Sequence, residues 1–224
     1  MKKKIFLVLA LIGIIVILGI IIYYTNYYPL KKVKTILAEG DKLPENILII
    51  KTVFDENNEQ QGHIDYYIKN NMAYISQNGK THKYAETISN GNEYYIISHD
   101  TKTIVHTNGT ENSNENLLGI SEDFSNMLNQ NAIYKYCGKE TIDGIKCIKV
   151  SLCQENVNKV ELRYFYIDLD NKHVVKIEYY DGSSVNNVSL RNSTTYKYEY
   201  NSVKDTDIVE FDKSKYEDYT YNEF

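Results

Sequence analysis

Proline and glycine are scarce in this sequence of 224 residues, with 2 and 11 respectively, and tryptophan is absent. Collagen-like and low-complexity chains need far more proline and glycine, so these two classes of protein are excluded. Aromatic residues nonetheless make up 12% of the chain, including 22 tyrosines, and the formal charge is only -5. That aromatic content is too high for a disordered chain of modest net charge. The length suits one membrane segment plus one folded domain with a full hydrophobic core.

The motifs of common enzymes and cofactor sites are also missing from the sequence. It contains no G-x-S-x-G, no G-x-G-x-x-G, no P-loop and no H-E-x-x-H. The five histidines are dispersed without the spacing of metal ligands. An enzyme would have to assemble an acid–base pair from scattered carboxylates. The sequence therefore favours a protein that is not an enzyme, and it predicts neither a cofactor nor a metal site.

An apolar run without a charged side chain occupies residues 5–22, directly after three lysines at residues 2–4. As a helix this run would rise roughly 27 Å, close to the hydrocarbon thickness of a bilayer. Four tyrosines follow within residues 23–28, at the depth of an aromatic belt. The run is longer than the apolar part of a cleaved signal peptide, and no small-residue cleavage site follows it. We therefore expect an uncleaved signal anchor over residues 1–28 and one extracytoplasmic domain over residues 29–224.

The lysines give only a weak indication of the orientation of this single-pass anchor in the cell membrane. Residues 2–4 flank one end of the apolar run and Lys31, Lys32 and Lys34 flank the other, so the positive-inside comparison is nearly balanced. A lysine-rich start before an apolar run is how an export signal begins, which favours a cytoplasmic N-terminus. Beyond residue 4, 22 basic residues face 30 acidic ones, which disfavours nucleic acid as a partner. The later lysines could contact anionic headgroups or could simply be solvated.

From residue 47 onward the chain consists of segments rich in Ile, Val, Tyr and Thr, as β-strands are. Asn-Gly and Asp-Gly pairs, which tolerate the positive φ of tight turns, separate them at residues 78–79, 90–91, 108–109, 143–144 and 181–182. Helical spacing predicts one short helix from Pro29 to Gly40 and another from Ser121 to Gln130. The sequence thus predicts an α+β domain: helix, about six strands, helix, about five strands, folded as an antiparallel meander.

One predicted hairpin supplies most of the candidate binding residues. If Asp170-Asn171 is a two-residue turn, Arg163 opposes Glu178 and the alternate positions of both strands form one apolar and aromatic face. The final strand alternates in the same way, with tyrosines on one side. The resulting candidate lining residues are Leu162, Tyr164, Tyr166, Val175, Ile177, Tyr179, Tyr196, Tyr198 and Tyr200. Such a face must be covered, and these residues could equally pack a closed core under the two helices.

A second hairpin is registered best by a three-residue loop over residues 142–144. This register sets Tyr134 and Tyr136 opposite Leu152 and Val150, and Glu140 opposite Lys146. It also places Cys137 diagonally across from Cys147, roughly 7–8 Å away. A disulfide needs a shorter separation, so this bridge would require a twist or a bulge.

The hairpin motifs resemble those of the LolA/LolB lipoprotein-carrier superfamily, which includes the RseB-type periplasmic sensors. Residues 136–150 contain Gly138, Glu140, Gly144 and Val150 in the pattern G-x-E-x-x-x-G-x-x-x-x-x-V of that family. Residues 165–168 and 174–178 are similar to its hairpin "W-I-D … x-x-K-x-E", with tyrosine in place of the usual tryptophan. Residues 198–216 resemble its closing strand and tail, with phenylalanine at residue 211 where proline is frequent.

This resemblance implies a curved antiparallel sheet, a half-barrel of about 11 strands, closed partly by helices around a hydrophobic cavity. Relatives hold acyl chains or sense lipoproteins, whereas soluble or lipid-anchored carriers lack a membrane helix like this one. The resemblance therefore favours a membrane-anchored, non-enzymatic domain that binds lipids or lipoproteins. The alternative is an envelope-sensing or protein-interaction module that uses the same fold without a lipid and needs a membrane protein partner.

Overall fold

A computed structural model of the chain describes residues 2–39, 43–108, 118, 120–130, 132–157 and 159–223. The N-terminal helix is continuous: α1 (Lys2–Ile22) passes through a π-helical stretch (Tyr23–Tyr27) into α2 (Tyr28–Glu39). A third helix, α3, covers Ile120–Asn129. The strands are β1 (Asn46–Asp55), β2 (Gln60–Lys69), β3 (Met72–Gly79), β4 (Lys83–Ser89), β5 (Glu93–Ser98), β6 (Thr103–Asn108), β7 (Ile133–Ile142), β8 (Ile145–Asn156), β9 (Lys159–Asp168), β10 (His173–Ser184), β11 (Asn187–Tyr200) and β12 (Thr220–Glu223).

These strands form one curved sheet in the order β12-β6-β5-β4-β3-β2-β1-β11-β10-β9-β8-β7. Two antiparallel meanders, β1–β6 and β7–β11, are joined where β1 pairs with β11. The predicted succession of six strands, a helix and five strands is confirmed. The short β12, which pairs with β6 in parallel, adds a twelfth strand from the tail.

The two short helices fill one face of this sheet. Strands β6 and β7 lie near opposite ends of the sheet, so the chain must cross it between them, and α3 lies on that crossing. Phe124 and Met127 of α3 and Val33 and Leu37 of α2 are at most 3% exposed in the main core. The rings of Phe124 and Phe165 meet edge to face with their centroids 5.9 Å apart. The space between helices and sheet is therefore packed with side chains.

Both predicted helices in the domain are present, with small shifts at their ends. Pro29 is the second residue of α2, but because the helix is continuous with the π-helical stretch before it, the missing N–H of Pro29 removes one hydrogen bond of the helical ladder. The predicted end at Gly40 lies outside the described residues. Helix α3 begins at Ile120, so Ser121 is inside the helix rather than at its N-cap.

Residues Leu11–Leu37 form a helix long and apolar enough to cross a membrane, by length and composition alone. Its apolar side chains from Leu11 to Ile22 are half exposed, as expected for a surface that meets lipid. The same helix enters the domain at its other end, because Val33 and Leu37 belong to the core. No flexible connection separates the apolar segment from the domain along this helix.

The register predicted for the β9–β10 hairpin is correct only near its turn. Val174 pairs with Ile167 as predicted, but a bulge at Val175 shifts every later pair by one residue. Glu178 therefore opposes Tyr164 instead of Arg163, whose guanidinium lies 5.3 Å from the ring centre of Tyr179. Because side chains alternate, the bulge moves part of the predicted single face to the other side of the sheet.

The register predicted for the β7–β8 hairpin is correct far from its turn and wrong near the turn. Tyr134 and Tyr136 oppose Leu152 and Val150 as predicted. A bulge at Cys137, beside a glycine with φ of 107°, then shifts the pairs near the turn, so Glu140 opposes Cys147 rather than Lys146. The turn becomes a two-residue connection at residues 143–144 instead of a three-residue loop. All three cysteines are free thiols, so Cys137 and Cys147 do not form a disulfide.

The five Asn/Asp-Gly pairs proved unequal as turn signals. Turns occur at residues 90–91 and 143–144, and both residues at 143–144 have the positive φ that such a turn requires. Residues 78–79 end β3, and the N–H of Gly79 donates to the carbonyl of His82 at 2.9 Å across the turn that follows. Residues 181–182 instead lie inside β10, so that turn prediction is wrong. At Gly182 a Cβ atom would stand 1.9 Å from the carbonyl oxygen of Asn187, so glycine is needed there for close strand approach. The pair at residues 108–109 is only partly described.

Candidate ligand-binding pocket

A divergence of β10 from β11 creates a concavity in the sheet. The β10–β11 ladder begins at the pair Lys176–Thr195, whereas β11 stays paired with β1 as far as Tyr200. On the β10 side, the hydroxyl of Tyr198 donates to the carbonyl of Val174 at 2.9 Å. A side chain thus takes the place that a backbone hydrogen bond would occupy in a regular ladder. The two strands are therefore far enough apart to leave space between them.

A pocket of about 560 Å³ occupies this divergence. Strands β1, β10 and β11 and the β7–β8 and β9–β10 turns contribute its lining. The lining residues are Ile50, Thr52, Ile142, Asp143, Ile145, Asp168, Asn171, His173, Val175, Thr195, Tyr196, Lys197, Tyr198 and Tyr200. Successive residues of β11 point to opposite faces of a sheet, so a lining by both Thr195 and Tyr196 is what a space between separated strands produces.

The floor of the pocket is apolar and continuous with a small second core. Ile142 and Val175 line the pocket and also pack against Cys147 and Tyr166, which are each 2% exposed. This cluster lies on the face away from the helices, because the alternate residues of β8 and β9, such as Phe165, belong to the main core. The floor of the pocket is therefore aliphatic and lies on the face of the sheet that the helices do not cover, whereas Tyr196 belongs to the main core on the covered face and Tyr198 packs against that core.

The polar residues of the pocket are mostly held in place by local contacts. Asp168 accepts hydrogen bonds from the backbone of Asp170 at 2.9 Å and from the Asn171 amide at 2.7 Å, which fixes the turn. His173 is buried and stacks on Tyr198 with ring centroids 4.5 Å apart. Lys197 pairs with Glu199 at 2.6 Å. These contacts leave a wall that presents aromatic and aliphatic surface.

The structure brings four of the nine predicted lining residues into this pocket and distributes the other five. Those in the pocket are Val175, Tyr196, Tyr198 and Tyr200. Ile177 is buried in the main core and Tyr179 packs against that core. Leu162, Tyr164 and Tyr166 lie on the opposite face from Phe165, as neighbours in a strand must. The tyrosine-bearing strand therefore borders the pocket, and the register shift divides the preceding hairpin between the two faces.

The face of β9 and β10 that carries the second core also carries a network around one carboxylate. Glu178 accepts from the hydroxyl of Tyr166 at 2.7 Å and pairs with Lys176 at 2.7 Å. Burial would raise the pKa of this carboxyl group, but the hydrogen bonds from Lys176 and Tyr166 outweigh it and hold the pKa below its usual value. Burial and the neighbouring carboxylate raise the pKa of Tyr166 strongly. The network explains why a tyrosine is buried there, and it is not part of the pocket lining.

The sequence did not indicate the pocket-lining residues that come from β1 and from the β7–β8 hairpin. Ile50 and Thr52 come from β1 and Ile142 and Ile145 flank the β7–β8 turn, far from β10 in sequence. Strand alternation alone could have shown that Ile50 and Ile49 lie on opposite faces of the sheet. However, no local sequence signal indicates that β1 pairs with β11. Within the described residues no group of three His, Cys, Asp or Glu side chains could hold a metal ion.

Comparison with known proteins supports the fold. No protein-family model and no curated protein matches the sequence. Among solved structures, MucB is 9% identical with a TM-score of 0.54, over 82% of this chain and 63% of the MucB chain. The MucA/MucB complex of Pseudomonas aeruginosa gives 9% identity and a TM-score of 0.53, over 82% of this chain and 61% of that one. MucB is of the RseB type. This chain has the LolA-like fold.

The LolA-like fold was the one that the hairpin motifs implied, so that prediction is confirmed. The chain spans less than two thirds of the length of the MucB chains that it matches. The mycobacterial lipoprotein LppX aligns more loosely, with 13% identity and a TM-score of 0.41 over 79% of this chain and 96% of that one. At such identities the likeness concerns the fold, and the LolA-like domain here must be assigned a function from its own residues.

Proposed function

We propose that this protein is a membrane-anchored, extracytoplasmic domain of LolA-like fold that binds an acyl chain of a lipid or lipoprotein and performs no chemistry on it. The observation that carries the proposal is the pocket between β10 and β11. Its volume of about 560 Å³ falls in the range of ligand pockets, roughly 300–1,000 Å³. Its aliphatic floor and tyrosine walls suit an apolar ligand, because burying apolar surface supplies most of the binding free energy.

The anchor determines how such a domain could act. The last apolar residue of α1 is Ile22, and Val33 of the same continuous helix is already buried in the domain core. Eleven residues of helix rise roughly 16 Å, so the domain sits against the membrane surface. A domain held there cannot ferry cargo across a compartment. Local uptake of acyl chains from the adjacent leaflet, or sensing of them, is the role that this geometry supports.

Filling the pocket should abolish labelling by a photoactivatable fatty acid in membranes that contain the full chain. We expect wild-type crosslinks to map to the peptides of β10 and β11. Thr195→Trp places a large side chain in the pocket from a half-buried position and should reduce these crosslinks at least roughly tenfold. Quantitative mass spectrometry of the labelled peptides gives the measurement.

The matched control is Thr87→Trp, at a half-buried threonine of β4 that does not line the pocket. Its crosslinks at β10 and β11 should equal those of the wild type. If Thr195→Trp leaves the labelling unchanged, or if label appears only within residues 11–28, the pocket does not bind acyl chains.

The orientation of the anchor can be read from a native thiol. Cys137 is exposed, whereas Cys147 is buried, and burial raises the pKa of the thiols of Cys147 and Cys153. A membrane-impermeant maleimide should therefore label Cys137 on intact spheroplasts before any permeabilisation. Cys137→Ser should remove most of this signal. Labelling that requires permeabilised cells would place the domain in the cytoplasm and contradict the proposed orientation.

A second candidate function, binding of a protein partner, is favoured by the edge of the sheet. In the described part of the chain β7 pairs with β8 on one side only, and its Ile133 is 49% exposed. An open edge of this kind can add a strand from another protein. MucB, which shares the fold, has been solved in complex with MucA. A photocrosslinking residue at Lys135 should then give one stoichiometric protein adduct, and the same residue at Lys213 should give none.

A further inference from the structure

A second, basic pocket lies where the anchor helix meets the domain. Its volume is about 360 Å³, and helix residues from the π-helical stretch to α2 form most of its lining. The lining residues are Tyr23, Tyr28, Lys31, Lys32, Thr35, Ile36 and Lys172. Three of the seven are lysines and none is acidic, although the whole chain has 30 acidic and only 25 basic residues. We call this feature the juxtamembrane pocket.

Lys172 reaches the juxtamembrane pocket from the β9–β10 turn, 140 positions away from the helical lysines in sequence. The turn is fixed by the hydrogen bonds to Asp168, and Lys172 itself adopts a positive φ of 60°. A defined turn thus brings Lys172 to the same pocket as Lys31 and Lys32. In the part of the chain that the structure describes, none of these three lysines forms an ion pair with a carboxylate. Three like charges in one concavity repel one another unless an anion joins them.

The side chains of the helical lysines extend toward the membrane. Side chains of an α-helix tilt toward its N-terminus, and in this helix the N-terminal direction leads to the apolar segment. Lys31 follows Ile22 by nine residues, a rise of roughly 13 Å, and a lysine side chain spans roughly half that distance back. Headgroups occupy roughly 5–8 Å on each side of the hydrocarbon region. The ammonium groups can therefore reach the phosphates of the adjacent leaflet.

We propose that the juxtamembrane pocket binds the phosphodiester headgroup of an anionic phospholipid of the membrane that holds the chain. The lysines supply the charge, and the phenol groups of Tyr23 and Tyr28 supply hydrogen-bond donors. The Thr35 hydroxyl already donates to the Lys31 carbonyl at 3.2 Å, so it is left as an acceptor and contributes little to binding an anion. The proposal rests on the membrane anchor proposed above but not on acyl-chain binding in the sheet.

A bound headgroup would also fix how the helix and the domain, which are continuous, are turned relative to the bilayer. Asn171 and His173, the neighbours of Lys172, line the pocket between β10 and β11. A headgroup held by Lys172 therefore keeps that pocket turned toward the bilayer.

The test is native mass spectrometry of the full chain released from nanodiscs of equimolar phosphatidylglycerol and phosphatidylcholine. We expect the wild type to retain phosphatidylglycerol in preference to phosphatidylcholine. Each lysine close to an anionic surface contributes roughly fivefold, so Lys31→Gln/Lys32→Gln/Lys172→Gln should lower the preference at least roughly tenfold. The matched control is Lys34→Gln, an exposed lysine of the same helix outside the pocket, which should keep the preference.

Two results would overturn the assignment: a triple variant with the wild-type preference, or a Lys34→Gln control that loses as much as the triple variant. If millimolar inorganic phosphate displaces the lipid, the pocket binds a free anion instead, and the proposal of a lipid headgroup site is wrong. Co-elution of the chain with the nanodiscs is measured first. A chain that does not co-elute contradicts the anchor, whereas one that co-elutes without lipid preference contradicts only the headgroup site.

Discussion

Replacing Phe165 by alanine should lower the free energy of unfolding by about 3–5 kcal/mol, because a large buried side chain leaves a cavity that its neighbours cannot close. Phe165 is 0% exposed, pairs with Val150 and Ile177 on the adjacent strands and meets the ring of Phe124 on α3. It therefore connects the second meander to the helix that crosses the sheet. Urea unfolding of the full chain in detergent, followed by circular dichroism, gives the measurement.

The control for this prediction is Ile96→Ala. Ile96 lies on β5 and is 46% exposed, so its truncation should change the free energy of unfolding by no more than about 0.5 kcal/mol. A loss at Phe165 as small as that at Ile96 would show that α3 does not pack on the sheet as described.

Replacing Glu86 by alanine should lower the free energy of unfolding by about 2–4 kcal/mol, because it leaves several half-buried donors without their acceptor. The carboxylate is 7% exposed and accepts from the hydroxyls of Tyr74 at 2.9 Å and Tyr216 at 2.6 Å. Lys83 and His99 approach it at 3.2 and 3.3 Å. Tyr216 belongs to the C-terminal segment, so we expect limited proteolysis to remove that segment first in the variant.

The same carboxylate predicts how stability depends on pH. Burial would raise the pKa of Glu86, but hydrogen bonds from Tyr216 and Tyr74 and the charge of Lys83 hold it below the ordinary value of 4.5. A carboxyl group whose pKa is lower in the folded state stabilises the fold above the unfolded pKa, and this contribution disappears as pH falls through the folded pKa. Stability should therefore decline below pH 4.5 in the wild type and decline less in Glu86→Gln. Glu155→Gln, at an exposed position on β8, should keep the wild-type profile.

The sequence determined the order and type of the elements because their signals are local. Apolar periodicity gave α2 and α3, and strand composition with turn residues gave the two meanders on either side of α3. Hairpin motifs of a few residues were enough to indicate the LolA-like fold. The twelfth strand could not be predicted in this way, since the short β12 exists only because its residues meet the edge of β6.

The hairpin registers failed at specific residues for a common reason. Alternation predicts pairing correctly until an extra residue enters one strand. The bulge at Val175 has no local signature, and the bulge at Cys137 is marked only by the neighbouring Gly138. Each bulge moved the following side chains to the other face. That is why Tyr166, predicted on the same face as Ile177, lies on the opposite face, in the second core with Cys147 and Val175.

By itself the sequence determined an apolar N-terminal helix, a sheet-forming domain and a strand with alternating tyrosines, because each follows from the order of neighbouring residues. Only the tertiary structure decided where a ligand could bind. Both pockets depend on residues far apart in the chain. Strand β1 pairs with β11 where β10 diverges, and Lys172 lines the same pocket as Lys31. Such contacts form to bury apolar surface across the whole sheet, a global condition that no short stretch of sequence encodes.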